Sequence, residues 1–145
     1  MKACLIIGPG TAFHYEEIYK LLKKNVLRLG HKGFFEEMAM YFTDNEGVKH
    51  RLGACYYTTL NVRRDHHFIP TKTYEAQKYP HYDNYDAVEC KFKNDLPRDY
   101  EGKIGVPTSF FYFYPDLDYE IIEHRGDLKL NGKTVFERLI IRKRK

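Results

Sequence analysis

"ACLIIGPGTAFHYEEIYKLLKKN", residues 3 to 25, sets an apolar run, a glycine-bracketed turn and an amphipathic stretch in that order. The run 3–7 is unbroken and closed by Gly8-Pro9-Gly10, the pattern of a fully buried strand, typical of a parallel sheet covered on both faces. Beyond the turn, Ile18, Leu21 and Leu22 repeat at helical spacing. Glu16 and Glu17 come early and Lys20, Lys23 and Lys24 late, an order that suits the helix dipole. Strand, glycine turn and helix make one β-α unit, which predicts an α/β fold.

Moving outward, the stretch "GFFEEMAMYFT" after Gly30 is compatible with helix or strand, and "DNEG" at 44 to 47 is a turn. "GACYYTTL" reads as a strand, so segments 34–43 and 53–60 are expected to form a hairpin around that turn. Residues 61 to 86 are polar and without sustained periodicity. Irregular segments of that length in compact domains are usually functional or disordered. "DAVECKF" (86–92) and "DYEIIEH" (118–124) are further strand candidates, and an aromatic run spans Phe110 to Tyr114. Asn131-Gly132 is the strongest two-residue hairpin signal in the chain, set between 128–130 and 135–141. The last third therefore reads as mostly β. No repeat or linker divides the chain, so one domain spanning residues 1–145 is expected.

At 145 residues, 43% hydrophobic and 30% charged, the chain has the length and composition of one globular domain. Aromatics reach 16%, all from 13 Tyr and 10 Phe. Tyrosine pairs an apolar body with a polar tip and suits half-buried surfaces, interfaces or stacking sites. The net charge of +4 is compatible with nucleic acid without demanding it. Cys4, Cys55 and Cys90 are odd in number and widely spaced, so buried reduced thiols are expected rather than a disulfide framework or a zinc knuckle. No segment resembles a signal peptide or approaches the length of a membrane span, which places the expected chain in the cytoplasm.

The common catalytic motifs are missing. "GPGTAF" has neither the Gly-x-Gly-x-x-Gly spacing nor a Gly-Lys-Ser/Thr, and reads as a tight β-α turn. His66-His67 are adjacent, and adjacent side chains diverge too far to chelate one ion well. No serine lies in a nucleophile elbow, and Glu16-Glu17 and Glu36-Glu37 read as solvated faces. What remains is "NVRRDHHF" (61–68), a basic loop beside the tyrosines at 56 and 57. Arginines fit phosphates and guanine edges, and tyrosine rings stack bases. A plain surface loop reads slightly better there.

The stretch "YPHYDNYDAVE" (79–89), then "NDLPRDYEGKIGVPTSFF", "DYEIIEH" and "LNGKTVFERLIIRKRK", resembles the C-terminal half of the EcoRI-type adenine-specific DNA methyltransferases. The "LIIG" strand and "YEEIYKLLKKN" helix are similar to the elements that follow that family's catalytic motif. Several positions depart from the family pattern. Pro9-Gly10-Thr11 replace an Asn-rich stretch, Arg28 stands where tryptophan is usual, and Thr59 and Asn61 replace Asn and Asp.

The resemblance implies a partial Rossmann-like methyltransferase sheet, with the N-terminal β-α unit and a β-rich C-terminal part. It implies methyl transfer from S-adenosylmethionine to the N6 of adenine in DNA, on a base flipped from the duplex. The Asn-Pro-Pro-aromatic tetrapeptide and the cofactor motif are absent from this chain, so the expected role is DNA binding and target recognition without activity alone. Arg63 and Arg64 are expected on phosphates, and Tyr82, Asp83, Asn84 and Tyr85 as an ordered loop near the substrate. A half sheet exposes an edge, so a separate N-terminal half or a homodimer is expected to cover it. The alternative is a non-catalytic DNA-binding or structural module of the same descent. A complete enzyme of other activity would need a constellation the sequence lacks.

Overall fold

The computed structural model describes residues 5–9, 12–29, 40–61, 69–112 and 118–144. They fall into two compact units, Met1–Asp65 and His66–Lys145. Cys4, Glu36, Glu37, Arg63, Arg64, His66 and His67 lie outside the described residues.

In the first unit, β1 (Leu5–Pro9) leads through a short 3-10 turn into α1 (Glu16–Lys23). Lys20 closes ion pairs to Glu16 at 2.8 Å and Glu17 at 3.3 Å, the i,i+4 and i,i+3 contacts its charge order predicts. The helix ends where Asn25 takes a left-handed φ of 55°, a conformation asparagine tolerates better than most residues. Arg28 then ties this terminus down, donating from Nε to Asn25 Oδ1 at 3.0 Å and from Nη1 to the Leu60 carbonyl at 2.8 Å. Arg28 is thus a polar clamp between the helix end and the segment that follows the strand Ala54–Thr58.

Three more strands follow β2 (Arg28–Leu29): β3 (Met40–Thr43), β4 (Lys49–Leu52) and β5 (Ala54–Thr58). β5 lies between β1 and β2 and is antiparallel to both. Leu22, Leu27, Leu29, Cys55 and Tyr57 are buried in this unit. β3 and β4 form a separate two-stranded ribbon, with Thr43 opposite Lys49 and Met40 opposite Leu52.

The second unit is built on a four-stranded sheet in the order β6 (Val88–Glu89), β7 (Ile104–Pro107), β11 (Arg138–Lys143), β8 (Tyr119–Arg125). Only β6 and β7 are parallel, and the other pairs are antiparallel. β11 is central, and Leu139, Ile140 and Ile141 are fully buried in succession, as a strand covered on both faces requires. β9 (Lys129–Leu130) and β10 (Lys133–Thr134) form the Asn131-Gly132 hairpin. Asn131 at φ 51° and Gly132 at φ 76° supply the paired positive angles of a type I′ turn. Tyr82, Ala87, Leu128 and Ile140 make one buried cluster, flanked by Tyr85, Ile122, Leu130 and Val135.

Three expectations need correction. The run at 3–7 is not a strand in a parallel pair: among the described residues β1 pairs with β5, antiparallel, and Ile7 is 59% exposed. An apolar run reports hydrophobicity and carries no information on strand direction. The hairpin around 44–47 exists, but its second arm is β4 at 49–52, while 54–58 joins β1 and β2. Gly53, exposed between them, lets the chain leave the ribbon before β5 begins. The Asn-Gly hairpin also has short arms, because β11 leaves it to enter the main sheet.

Candidate functional site

The segment 79–89 folds back on itself. Tyr82 N–H donates to the Ala87 carbonyl at 3.1 Å and Glu89 N–H to the Pro80 carbonyl at 2.8 Å. This places Tyr82 and Glu89 side by side, with the Tyr82 ring against Gly105 of β7. Glu89 is 7% exposed and receives Arg138 in a fork, with Nη2 to Oε1 at 2.7 Å and Nε to both oxygens at 3.0 and 3.1 Å. The Tyr82 hydroxyl donates to the other oxygen, Oε2. Burial, then the hydrogen bond to Glu89 and its negative charge, hold the Tyr82 phenol far above its ordinary 10.0. Burial works against the Arg138 charge, but the hydrogen bonds and charge of Glu89 outweigh it and raise the guanidinium pKa. Arg138 also donates to the carbonyls of Phe136 and Glu137, at 2.9 and 3.2 Å.

Asp83, Asn84 and Tyr85 follow on the surface and are all engaged. Asp83 accepts the N–H groups of Asn131 at 3.2 Å and Gly132 at 2.7 Å, so it caps the hairpin turn. Asn84 accepts from Lys129 N–H at 2.9 Å and donates to the Asp127 carbonyl at 2.8 Å, standing in for a strand residue. The Tyr85 hydroxyl donates to Glu123 and accepts from Lys103 Nζ at 3.3 Å. Its ring lies between two cations, Lys103 Nζ at 4.9 Å and Arg125 Cζ at 4.6 Å from the centroid. Arg125 is itself forked onto Asp127, with Nε at 2.8 Å.

Beside this block lies a cleft of about 980 Å³, in the size range of small-molecule sites. Lys72, Lys78 and Lys91 line it with Phe92, and the Glu89–Arg138 pair forms part of its wall. Phe92 is 58% exposed, with Lys91 Nζ 5.4 Å from its ring centroid. Glu75 and Asp95 line it as well, and Glu75 holds Lys78 Nζ at 2.6 Å, so the cleft is of mixed charge and its exposed ring suits a ligand with a flat apolar part. S-adenosylmethionine does not fit the same criteria. The buried carboxylate on the wall, Glu89, is already taken up by Arg138 and Tyr82. In the first unit the strand-end Gly8 is filled by packing, since a Cβ there would lie 3.3 Å from the Tyr57 ring.

The structure therefore brings Tyr82, Asp83, Asn84 and Tyr85 together as one ordered loop, and Arg63 and Arg64 lie outside the described residues. Sequence reasoning missed Glu89 and Arg138. The available signal was a charged residue inside an apolar strand, in "AVEC" and in "ERLII". Such residues are buried only when paired. Tyrosine abundance also finds its reason here, because buried hydroxyls need partners. Tyr79 donates to the Asp95 carbonyl at 2.6 Å and Tyr119 to the Pro97 carbonyl at 2.8 Å. Among the described residues no group of three or more His, Cys, Asp or Glu is placed to hold a metal ion, and no helix is long and apolar enough to cross a membrane.

These features sit in a chain whose residues 1–144 match the family described as adenine-specific methyltransferase EcoRI. The chain belongs to that family. It is 32% identical over 166 residues to the type II methyltransferase M.EcoRI of Escherichia coli, covering 99% of this chain and 51% of that protein. It is also similar to M.MpnI of Mycoplasma pneumoniae, at 24% identity over 182 residues, covering 99% of this chain and 57% of that protein. M.MgeORF184P of Mycoplasma genitalium is 23% identical over 181 residues, with 98% and 57% covered. The chain thus spans about half the length of the curated relatives it matches. No solved structure gives a significant match.

Proposed function

We propose that this chain is the DNA-binding, target-recognition portion of an adenine-specific N6 DNA methyltransferase of restriction-modification type, and that it transfers no methyl group by itself. One observation carries the reading: nearly the whole chain matches the family while spanning only 51–57% of its relatives, and no Asn-Pro-Pro-aromatic motif occurs in it. S-adenosylmethionine is then the cofactor of the complete enzyme, held by an N-terminal half that the relatives have beyond the matched part. That half, or a second copy of this chain, covers the open edge and completes a Rossmann-like sheet, in a protein working in the cytoplasm. Arg63 and Arg64 contact phosphates, and the ordered 82–85 loop sits near the substrate, braced rather than free. The exposed Phe92 at the cleft, with Lys91 beside its ring, supports this, because single-stranded and flipped nucleotides stack on exposed aromatic rings.

A second reading, a stand-alone DNA-binding or structural module, draws on the 82–85 run. Its polar groups are spent on holding the hairpin, which is a structural task. A neighbouring reading frame with an Asn-Pro-Pro-aromatic motif and a cofactor loop favours the split enzyme, and its absence favours the module. DNA binding itself is tested by retention of the chain on immobilised duplex DNA. Elution is expected at a defined salt concentration, and Arg63→Ala/Arg64→Ala should elute earlier, with a salt slope smaller by about two contacts. Passage of the unsubstituted chain through the column at low salt would remove the proposal.

A further inference from the structure

Among the described residues the β3–β4 ribbon of the first unit pairs with no further strand. Residues 41–52 are all exposed except Asp44, which is half-buried. A lone two-stranded ribbon is marginal in water, so one exposed on both faces is better suited to docking than to core building. Its faces differ in chemistry. The register pairs Tyr41 with Arg51 and Thr43 with Lys49, which sets these four side chains on one face. Lys49 Nζ lies 4.4 Å from the Tyr41 ring centroid on that face. Phe42 and His50 stack on the other, with centroids 5.1 Å apart. The acidic Asp44 is withdrawn into the turn, accepting N–H groups from Glu46 at 3.0 Å and Val48 at 2.8 Å and facing His50 Nε2 at 2.6 Å.

We infer that this ribbon enters the major groove of duplex DNA with its Tyr41–Lys49–Arg51 face inward. The groove is about 12 Å wide and admits a two-stranded β-ribbon. Lys49 supplies a point charge for phosphate, and Arg51 a planar fork that fits phosphate or the edge of guanine. Gly53 alone separates the ribbon from β5, so whatever the ribbon reads is registered directly to the core sheet. The inference rests on the DNA-binding reading above and goes beyond it by naming the arm that reads sequence.

The test is fluorescence anisotropy of a labelled duplex titrated with the full chain over a range of salt concentrations. Lys49→Gln/Arg51→Gln should weaken binding about tenfold or more and lower the salt slope by about two contacts. The charge-matched control Lys24→Gln/Lys133→Gln should shift affinity by less than about threefold. Arg51→Lys, which keeps the charge but loses the fork, should retain binding to random duplex while losing preference among sequences. Far-UV circular dichroism must show all variants folded, as their exposed positions predict. Wild-type affinity and slope in the double variant would overturn the ribbon and leave DNA binding standing. A change in size-exclusion elution of the double variant without a change in its DNA binding would overturn it in favour of a contact between copies. No binding by the unsubstituted chain would overturn both.

Discussion

Glu89 and Arg138 stand 49 positions apart and meet in a forked ion pair, with Nη2 to Oε1 at 2.7 Å, which ties β6 to β11 across β7. The side chains are 7% and 12% exposed, so each neutralises a charge that water reaches only from the cleft. Truncating one partner leaves the other buried and uncompensated, at a cost of about 3–5 kcal/mol. Arg138→Leu and Glu89→Leu should each lose about that much by urea unfolding, and the double variant clearly less than the sum. Additive losses would show that the two charges do not interact.

Gly105 faces the Tyr82 ring across the strand pair. A Cβ at that position would lie 2.7 Å from Tyr82 Cζ and 2.8 Å from Cε2, closer than such atoms ever sit. The ring is buried and pinned by its bond to Glu89, so it cannot swing away. Gly105→Ala should destabilise the second unit by about 1–3 kcal/mol, read as a lower urea midpoint at an unchanged slope. An unchanged midpoint would mean the tyrosine is not held there.

Alkali should loosen the fold. Burial first, then the charge of Asp95, pushes the Cys90 thiol from its ordinary 9.0 up to about 12. Burial likewise lifts the Tyr119 phenol from 10.0 to about 12. Both groups are acids whose folded pKa is raised, so their neutral forms stabilise the native state. That stabilisation is complete below pH 9 and is lost as pH rises toward about 12. Thermal midpoints should fall across that window, and Cys90 should resist a thiol reagent at pH 8 until the chain unfolds. Rapid labelling of Cys90 in the native protein would contradict its burial.

Asp83 holds the Asn131-Gly132 turn from outside by accepting both backbone N–H groups. Because the site is exposed, Asp83→Ala should cost only about 1 kcal/mol. Amide exchange should quicken at Asn131 and Gly132 and stay unchanged in β11. Uniform exchange across both would show that the aspartate does not hold this turn.

What was legible in the sequence had its signal within a few residues. The helix at 16–23 showed its charge order and spacing, and the 131–132 turn showed the one dipeptide that accepts two positive φ angles. The strand at Val88–Glu89, inside the 86–92 candidate, was also readable. Pairing between distant segments was not. "ACLII" gave no sign that β1 would run antiparallel to β5, and nothing near Glu89 announced Arg138. Exposed Tyr82 and Asn84 would read the same in sequence as the braced residues found here. Family resemblance identified the chain's descent because it sums weak signals over the full length, which no local pattern can do.

The most direct test is methyl transfer from labelled S-adenosylmethionine to duplex DNA, with the chain alone and mixed with a polypeptide carrying the Asn-Pro-Pro-aromatic half. The expected result is no N6-methyladenine from the chain alone and label in adenine from the mixture. Label incorporated by the chain alone would contradict it, as would a mixture that stays silent while the chain binds DNA.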